Sequence, residues 1–258
     1  MPRASVNGVR LYYEERGAGT PILGIHGAGS SAVFWEDAAE RLSALGRVIT
    51  YDRRASHRSE LPDPYDVTSV REHADDALAL LRELDAEPAI LVGRSYGGTV
   101  ALDLALRHPD SVLGIALLEA GPMDLDAEYD AWFEQLRETA ETAPPDRVGE
   151  AVMRAVFGAW DELPDEWREL FTANGAALLA ELRGGERTDN STFDRLRVPT
   201  LVVTATDSPE MIRRCSATLA SALPGARKAT VGGGHAIDPA GEDVLAFVRD
   251  VLETTRRN

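Results

Sequence analysis

Ala89-Ile90-Leu91-Val92-Gly93-Arg94-Ser95-Tyr96-Gly97-Gly98 is the stretch whose reading decides the fold. The apolar run Ala89 to Val92 has the length and composition of a strand buried on both faces, and it breaks at Gly93. After Gly98 the pattern turns helical: Val100, Leu102, Leu104, Ala105 and Leu106 recur at helical steps up to His108, and Pro109 ends them. Ser95 therefore sits where a strand turns sharply into a helix. The turn brings two backbones close, so positions 93 and 97 must be small. It lifts the Ser95 hydroxyl over a helix N-terminus, whose free N–H groups favour negative charge. That environment suits a serine that attacks a carbonyl and generates an oxyanion.

Working outward, the same strand–helix alternation extends in both directions. Ser5 to Arg16 is predicted to be a hairpin turning at Asn7-Gly8. Strands are predicted at Pro21–Ile25, Arg47–Tyr51, Val112–Leu118, Val198–Val203 and Arg227–Val231. Helices are predicted at Trp35–Leu45, Thr68–Leu84, Pro209–Leu223 and Gly241–Thr255. This order predicts an α/β protein, a mostly parallel central sheet with helices on both faces and antiparallel strands at one edge. Between about Met123 and Phe193 the alternation lapses into acidic, Ala- and Leu-rich helical sequence punctuated by Pro144-Pro145, Pro164 and Gly184-Gly185. The chain thus divides into a core, 1–121 and 194–258, and an inserted helical cap, 122–193.

The 258 residues are 44% hydrophobic and carry a net charge of -16, which argues against nucleic acid or an anionic membrane as partner. A single cysteine, Cys215, allows no internal disulfide, and no run is long enough to span a membrane; the reading is a cytoplasmic protein. No metal-ligand cluster or dinucleotide-type glycine fingerprint is visible, so no metal and no cofactor are expected. Nothing in the sequence speaks to oligomeric state.

His26-Gly27-Ala28-Gly29, Tyr51-Asp52-Arg53-Arg54, Gly93-Arg94-Ser95-Tyr96-Gly97-Gly98 and Gly234-His235 occur in that order. On these motifs the chain resembles the α/β-hydrolase superfamily along nearly its whole length. The resemblance implies the α/β-hydrolase fold and a serine hydrolase whose triad runs nucleophile, acid, histidine. Ser95 is the candidate nucleophile and His235, after the triple glycine 232–234, the candidate general base. His26 reads as a loop-shaping histidine. Two carboxylates compete for the third place. Asp207 follows the strand where the superfamily often keeps its acid, yet Asp207-Ser208-Pro209-Glu210 is also an ordinary helix start with Ser208 as cap. Glu119 ends a fully apolar strand, where a carboxylate is costly unless paired, and a positioned histidine would pair it. The burial argument favours Glu119, a layout that resembles zearalenone-lactonase-like members. Haloalkane dehalogenases of the superfamily also place a Glu after this strand.

The amides of Tyr96 and of Ala28, in the Gly27-Ala28-Gly29 loop, are the expected oxyanion donors. One departure stands out. The superfamily's Asp-x-Arg-Gly-x-Gly-x-Ser loop is here Asp52-Arg53-Arg54-Ala55-Ser56-His57-Arg58-Ser59, with both glycines replaced, which puts its turn geometry in question. The aromatic faces of the insertion are expected to pack mainly on one another, with Gly27, Phe34, Trp132, Val156, Phe157 and Trp160 the candidates to line a pocket. Arg94 reads as a solvated charge. These features favour a medium-sized, largely apolar, uncharged small-molecule ester or lactone. The alternatives on the same triad are carbon–carbon bond hydrolysis, perhydrolysis, or a ligand-sensing receptor with little turnover.

Overall fold

The computed structural model describes residues 2–158 and 160–257. Strands β1 (Arg3–Val6) and β2 (Val9–Arg16) form the hairpin, paired through Val6 and Val9, with Asn7 and Gly8 both in left-handed backbone (φ 43° and 80°). That geometry is what an Asn-Gly turn supplies. Then come β3 (Pro21–Ile25), α1 (Glu36–Ser43), β4 (Arg47–Tyr51), α2 (Val70–Glu83), β5 (Ala89–Arg94), α3 (Tyr96–Arg107) and β6 (Val112–Leu118). The sheet has eight strands, in the order β1-β2-β4-β3-β5-β6 followed by two more in chain order, parallel from β4 onward. Its last strands, β7 (Thr200–Ala205) and β8 (Arg227–Val231), are separated by α8 (Glu210–Ala222), and α9 (Glu242–Arg257) closes the chain. This is the α/β-hydrolase arrangement the motifs implied.

Side chains alternate across β5 as a doubly covered strand requires. Ile90 and Val92 face Trp35, Phe247 and Val248, while Leu91 faces Leu81, Val100 and Leu104. All of these are at most 1% exposed. The helix expected from Trp35 starts differently: a 3-10 turn over Ala32–Trp35, capped by Ser31, precedes α1. The helix α2 is capped by Ser69, whose hydroxyl accepts from the Glu72 amide at 3.1 Å.

Between β6 and β7 the chain forms α4 (Ala127–Thr142), α5 (Val148–Phe157), α6 (Asp165–Ala173) and α7 (Gly175–Gly184). Prolines and glycines set the breaks. The helix α4 stops before Pro144, α6 starts after Pro164, and α7 ends at Gly184. Residues 185–189 are not helical; they run back to the sheet, and the Glu186 carbonyl accepts from the Met123 amide at 2.8 Å. Phe133, Val152, Met153, Phe171 and Leu178 bury one another in a third cluster, separate from the two on the sheet.

The loop after β4 keeps left-handed backbone at both positions where glycine was expected, with φ 63° at Ala55 and 44° at His57. It is held there by Asp52, which accepts from the Ala32 amide (2.8 Å) and from Arg58 Nε (2.7 Å). A side chain in that conformation costs about 1–2 kcal/mol. Glycine removes the strain but gives back about 0.5–1 kcal/mol in unfolded-chain freedom. Ala55→Gly is therefore expected to stabilise the protein by about 0.5–1 kcal/mol, read as a rise in denaturant midpoint; a fall would show that Ala55 is unstrained.

Candidate active site

Ser95 follows β5 with φ 54° and ψ -127°, a sharp bend between strand and helix. A Cβ at Gly93 would collide with the Gly97 carbonyl, and one at Gly97 with the carbonyls of Ile25 and His26. The bend thus depends on both glycines. The Ser95 amide donates to the Leu118 carbonyl at 2.8 Å, which ties the bend to the end of β6.

Glu119 is the next residue on that neighbouring strand. Its own backbone is left-handed (φ 48°), its amide donates to the Val203 carbonyl at 3.0 Å, and it is 2% exposed. Each carboxylate oxygen has a partner. Oε1 accepts from the Ala205 amide (2.8 Å), and Oε2 accepts from Ser208 Oγ (2.8 Å) and from His235 Nδ1 (2.7 Å). With Nδ1–H donating to Glu119, the neutral imidazole keeps Nε2 as its basic atom. Ser95 and His235 line one cavity, without a direct hydrogen bond between their side chains among the described residues.

Asp207 lies elsewhere. It is exposed, its carboxylate accepts from Thr206 Oγ1 at 2.9 Å, and it does not touch His235. What it contributes is its amide, which donates to the Gly233 carbonyl at 2.8 Å and holds the glycine run that carries His235. Ser208 is not the helix cap expected of it. Pro209 occupies that place, and the Ser208 hydroxyl goes to Glu119 instead.

The loop 26–30 is held from two sides. His26 is fully buried; its Nδ1 donates to the Gly27 carbonyl (2.9 Å) and its Nε2 accepts from the Arg53 amide (2.9 Å). Burial, then the nearby Arg53 charge, push its pKa well below the usual histidine value, so it stays neutral. The Arg53 side chain, also fully buried, donates to the carbonyls of His26 (3.1 Å) and Gly27 (2.9 Å) and pairs with Glu181 of α7 at 2.8 Å. From the other side, Glu181 Oε2 accepts from the Gly29 amide (3.2 Å), while Asn174 Nδ2 donates to the carbonyls of Gly29 (3.0 Å) and Ser30 (2.9 Å). Among the described residues, the Ala28 and Tyr96 amides have no acceptor.

Gly27, Ala28, Phe34, Trp132, Val156 and Phe157 all line the cavity that Ser95 and His235 share. Trp160 does not. It is 5% exposed, packed beneath Phe171 within the inserted helices at 6.4 Å between ring centroids, so the reading of it as a pocket residue is corrected. Two charged residues of the lining were not anticipated in that role. Arg94 is not a solvated charge: it is half-buried in the cavity wall. Glu186 is buried, its oxygens accepting from Thr99 Oγ1 (2.6 Å) and Tyr129 Oη (2.7 Å), and burial raises its pKa. The glycines before Glu186 mark a turn, and no local pattern shows that its side chain reaches Thr99 of α3 and Tyr129 of α4.

The layers, the bend at Ser95 and the strand order define a class. A family model described as the alpha/beta hydrolase fold matches residues 20–237, and the chain belongs to that family. It is similar to the uncharacterized hydrolase YraK of Bacillus subtilis, 39% identical over 107 residues, which are 42% of this chain and 40% of that one. It is also similar to a putative carbamate hydrolase RutD of Serratia proteamaculans, 30% identical over 246 residues, 88% of this chain and 90% of that one. Among solved structures, a thermophilic esterase from Thermogutta terrifontis superposes with a TM-score of 0.78 at 22% identity, over 99% of this chain and 98% of that one, a likeness of fold alone. Among the described residues no helix is long and apolar enough to cross a membrane.

Proposed function

We propose that this chain is a serine hydrolase that cleaves a carboxylic ester or lactone of a medium-sized, largely apolar substrate through an acyl-enzyme. The observation that carries the proposal is the 2.7 Å contact between His235 Nδ1 and the buried Glu119 carboxylate, with His235 lining the same cavity as Ser95. In this reading His235 Nε2 takes the Ser95 proton as Oγ attacks the carbonyl carbon. The oxyanion is received by the Ala28 and Tyr96 amides, each worth about 3–4 kcal/mol in the transition state. The proton then passes to the leaving alkoxide, and water, deprotonated by the same imidazole, releases the acid. Residues 122–193 serve as the cap, with Phe34, Trp132, Val156 and Phe157 receiving the apolar body.

A fluorophosphonate probe tests the nucleophile. Wild type is expected to label and Ser95→Ala to lose the label; labelling retained in Ser95→Ala overturns the assignment. A panel of p-nitrophenyl esters, lactones and carbamate esters tests the bond. Because relatives are named as putative carbamate hydrolases, turnover confined to the carbamates would move the assignment to that bond class.

A further inference from the structure

The cavity is lined by three charged residues besides His235. Two of them are fully engaged. Glu181 is paired with Arg53 at 2.8 Å and accepts from the Gly29 amide, and Glu186 accepts from both Thr99 and Tyr129. The third, Arg94, is not. Its recorded contact is a long one, from Nη1 to the Ile237 carbonyl at 3.5 Å, and no carboxylate among the described residues forms an ion pair with it. The acid whose charge acts on it, Asp238, is already committed to Arg41 at 2.6 and 2.8 Å and to the Ala240 amide at 3.0 Å. Along β5, Ile90 and Val92 point into the apolar layer on the α1 and α9 side, and Arg94 is the next residue of that series. The pattern calls for an apolar residue, and a cation with five N–H donors stands there instead.

Enclosing a guanidinium without a counter-charge is costly, and a native fold ordinarily pairs it. Here the residue lines the cavity, one position from the nucleophile, and its Nη1 lies toward the loop that carries His235. We propose that Arg94 is a specificity-determining residue that pairs with a carboxylate carried by the substrate, so that the hydrolase takes monoanionic esters or lactones with an otherwise apolar body. The proposal rests on the hydrolase reading and revises its expectation of an uncharged substrate. A guanidinium suits a carboxylate through two parallel N–H bonds, which fixes the orientation of the scissile carbonyl as well as adding affinity. Enclosure pulls the Arg94 pKa down to about 10, so the group stays cationic at neutral pH.

The test uses three methyl esters of one chain length that end in an isopropyl, a carboxylate or a dimethylammonium group, with hydrolysis followed by pH-stat. Free glutarate is the binding probe. For wild type, kcat/KM for the carboxylate ester is expected to exceed that for the isopropyl ester by about tenfold or more, with the preference shrinking as salt is added. Arg94→Met is expected to lower that ratio by about 30-fold, chiefly through KM, and Arg94→Lys to restore part of it. Glutarate is expected to raise the melting temperature of wild type and not that of Arg94→Met, which without ligand should itself melt higher because a stranded charge has gone.

Equal turnover of the three esters overturns the proposal while leaving the hydrolase standing. A preference for the dimethylammonium ester also overturns it and transfers recognition to Glu186. If no ester is hydrolysed and Ser95 does not label, the hydrolase reading fails, and the glutarate shift alone decides Arg94: an Arg94-dependent shift supports it, and no shift overturns it. If Arg94→Met does not fold, the wild-type preference and its salt dependence, set against Arg94→Lys, decide the matter.

Discussion

Glu119→Gln is expected to lower kcat on any accepted ester by about 10³–10⁴-fold with little change in KM. The carboxylate accepts from Nδ1 of His235, which leaves Nε2 free to act as the base in the proposed mechanism. A glutamine at 119 keeps a carbonyl oxygen for the Ala205 amide, so its NH2 group turns toward Ser208 and His235. Nδ1 then has to accept, the proton moves to Nε2, and the imidazole can no longer take a proton from Ser95. The loss falls on the transition state, since no charge remains to stabilise the imidazolium. Asp207→Asn, by contrast, keeps the backbone bond to Gly233 and touches only an exposed carboxylate, so its effect is expected to stay within about threefold. Steady-state kinetics on both variants decide between the two acids. Collapse in Asp207→Asn alone would assign the role to the acid that the loop after β7 carries.

The second large effect is on stability. Glu181→Leu is expected to cost about 3–5 kcal/mol, because it strands the fully buried Arg53 guanidinium. Arg53→Met in the same chain removes the stranded charge and is expected to recover part of that loss. Recovery stays incomplete, because Arg53 also donates to the carbonyls of His26 and Gly27; Gly27 keeps the His26 Nδ1 donor, while the buried His26 carbonyl loses its own, at a cost of about 1–3 kcal/mol. Denaturant unfolding of the two single variants and the double variant gives the coupling directly. Additive losses would mean the pair contributes nothing as a pair. The single variant is also expected to lose activity at temperatures where it stays folded, since the Gly29 amide loses its acceptor and the loop that presents Ala28 loosens.

The features legible in the sequence are those a local pattern encodes. The apolar run to Val92, the break at Gly93 and the helical repeat after Gly98 specify a strand, a bend and a helix within a few residues of one another. Asn7-Gly8 specifies a hairpin in the same way. Glu119 stands out because a carboxylate ends a strand with nothing polar before it, and its environment bears out the burial side of that reasoning. Which faces of the inserted helices meet the cavity is set by how the helices pack on one another, and that information is spread over distant positions. Trp160 and Phe157 share a helical apolar pattern, yet Trp160 packs beneath Phe171 while Phe157 lines the cavity. Ser208 has the sequence context of a cap, but the long-range partner Glu119 takes its hydroxyl. Ala55 and His57 show the converse. The glycines are absent, and the backbone still adopts their conformation because Asp52 and Arg58 clamp the loop around them.

The fastening of α7 to the loop 26–30 also sets a cost on moving that helix. Swinging that helix away from the sheet would part Glu181 from Arg53, strip Asn174 from Gly29 and Ser30, and break the bond from the Thr68 amide to the Ala180 carbonyl. The first of these alone costs several kcal/mol. A groove between Phe157 and the glycine run 232–234 adjoins the cavity of Ser95, the two sharing Phe157 and His235. In the proposed hydrolase, a substrate entering by that groove passes the imidazole, while the loop that carries the Ala28 amide stays fastened to α7.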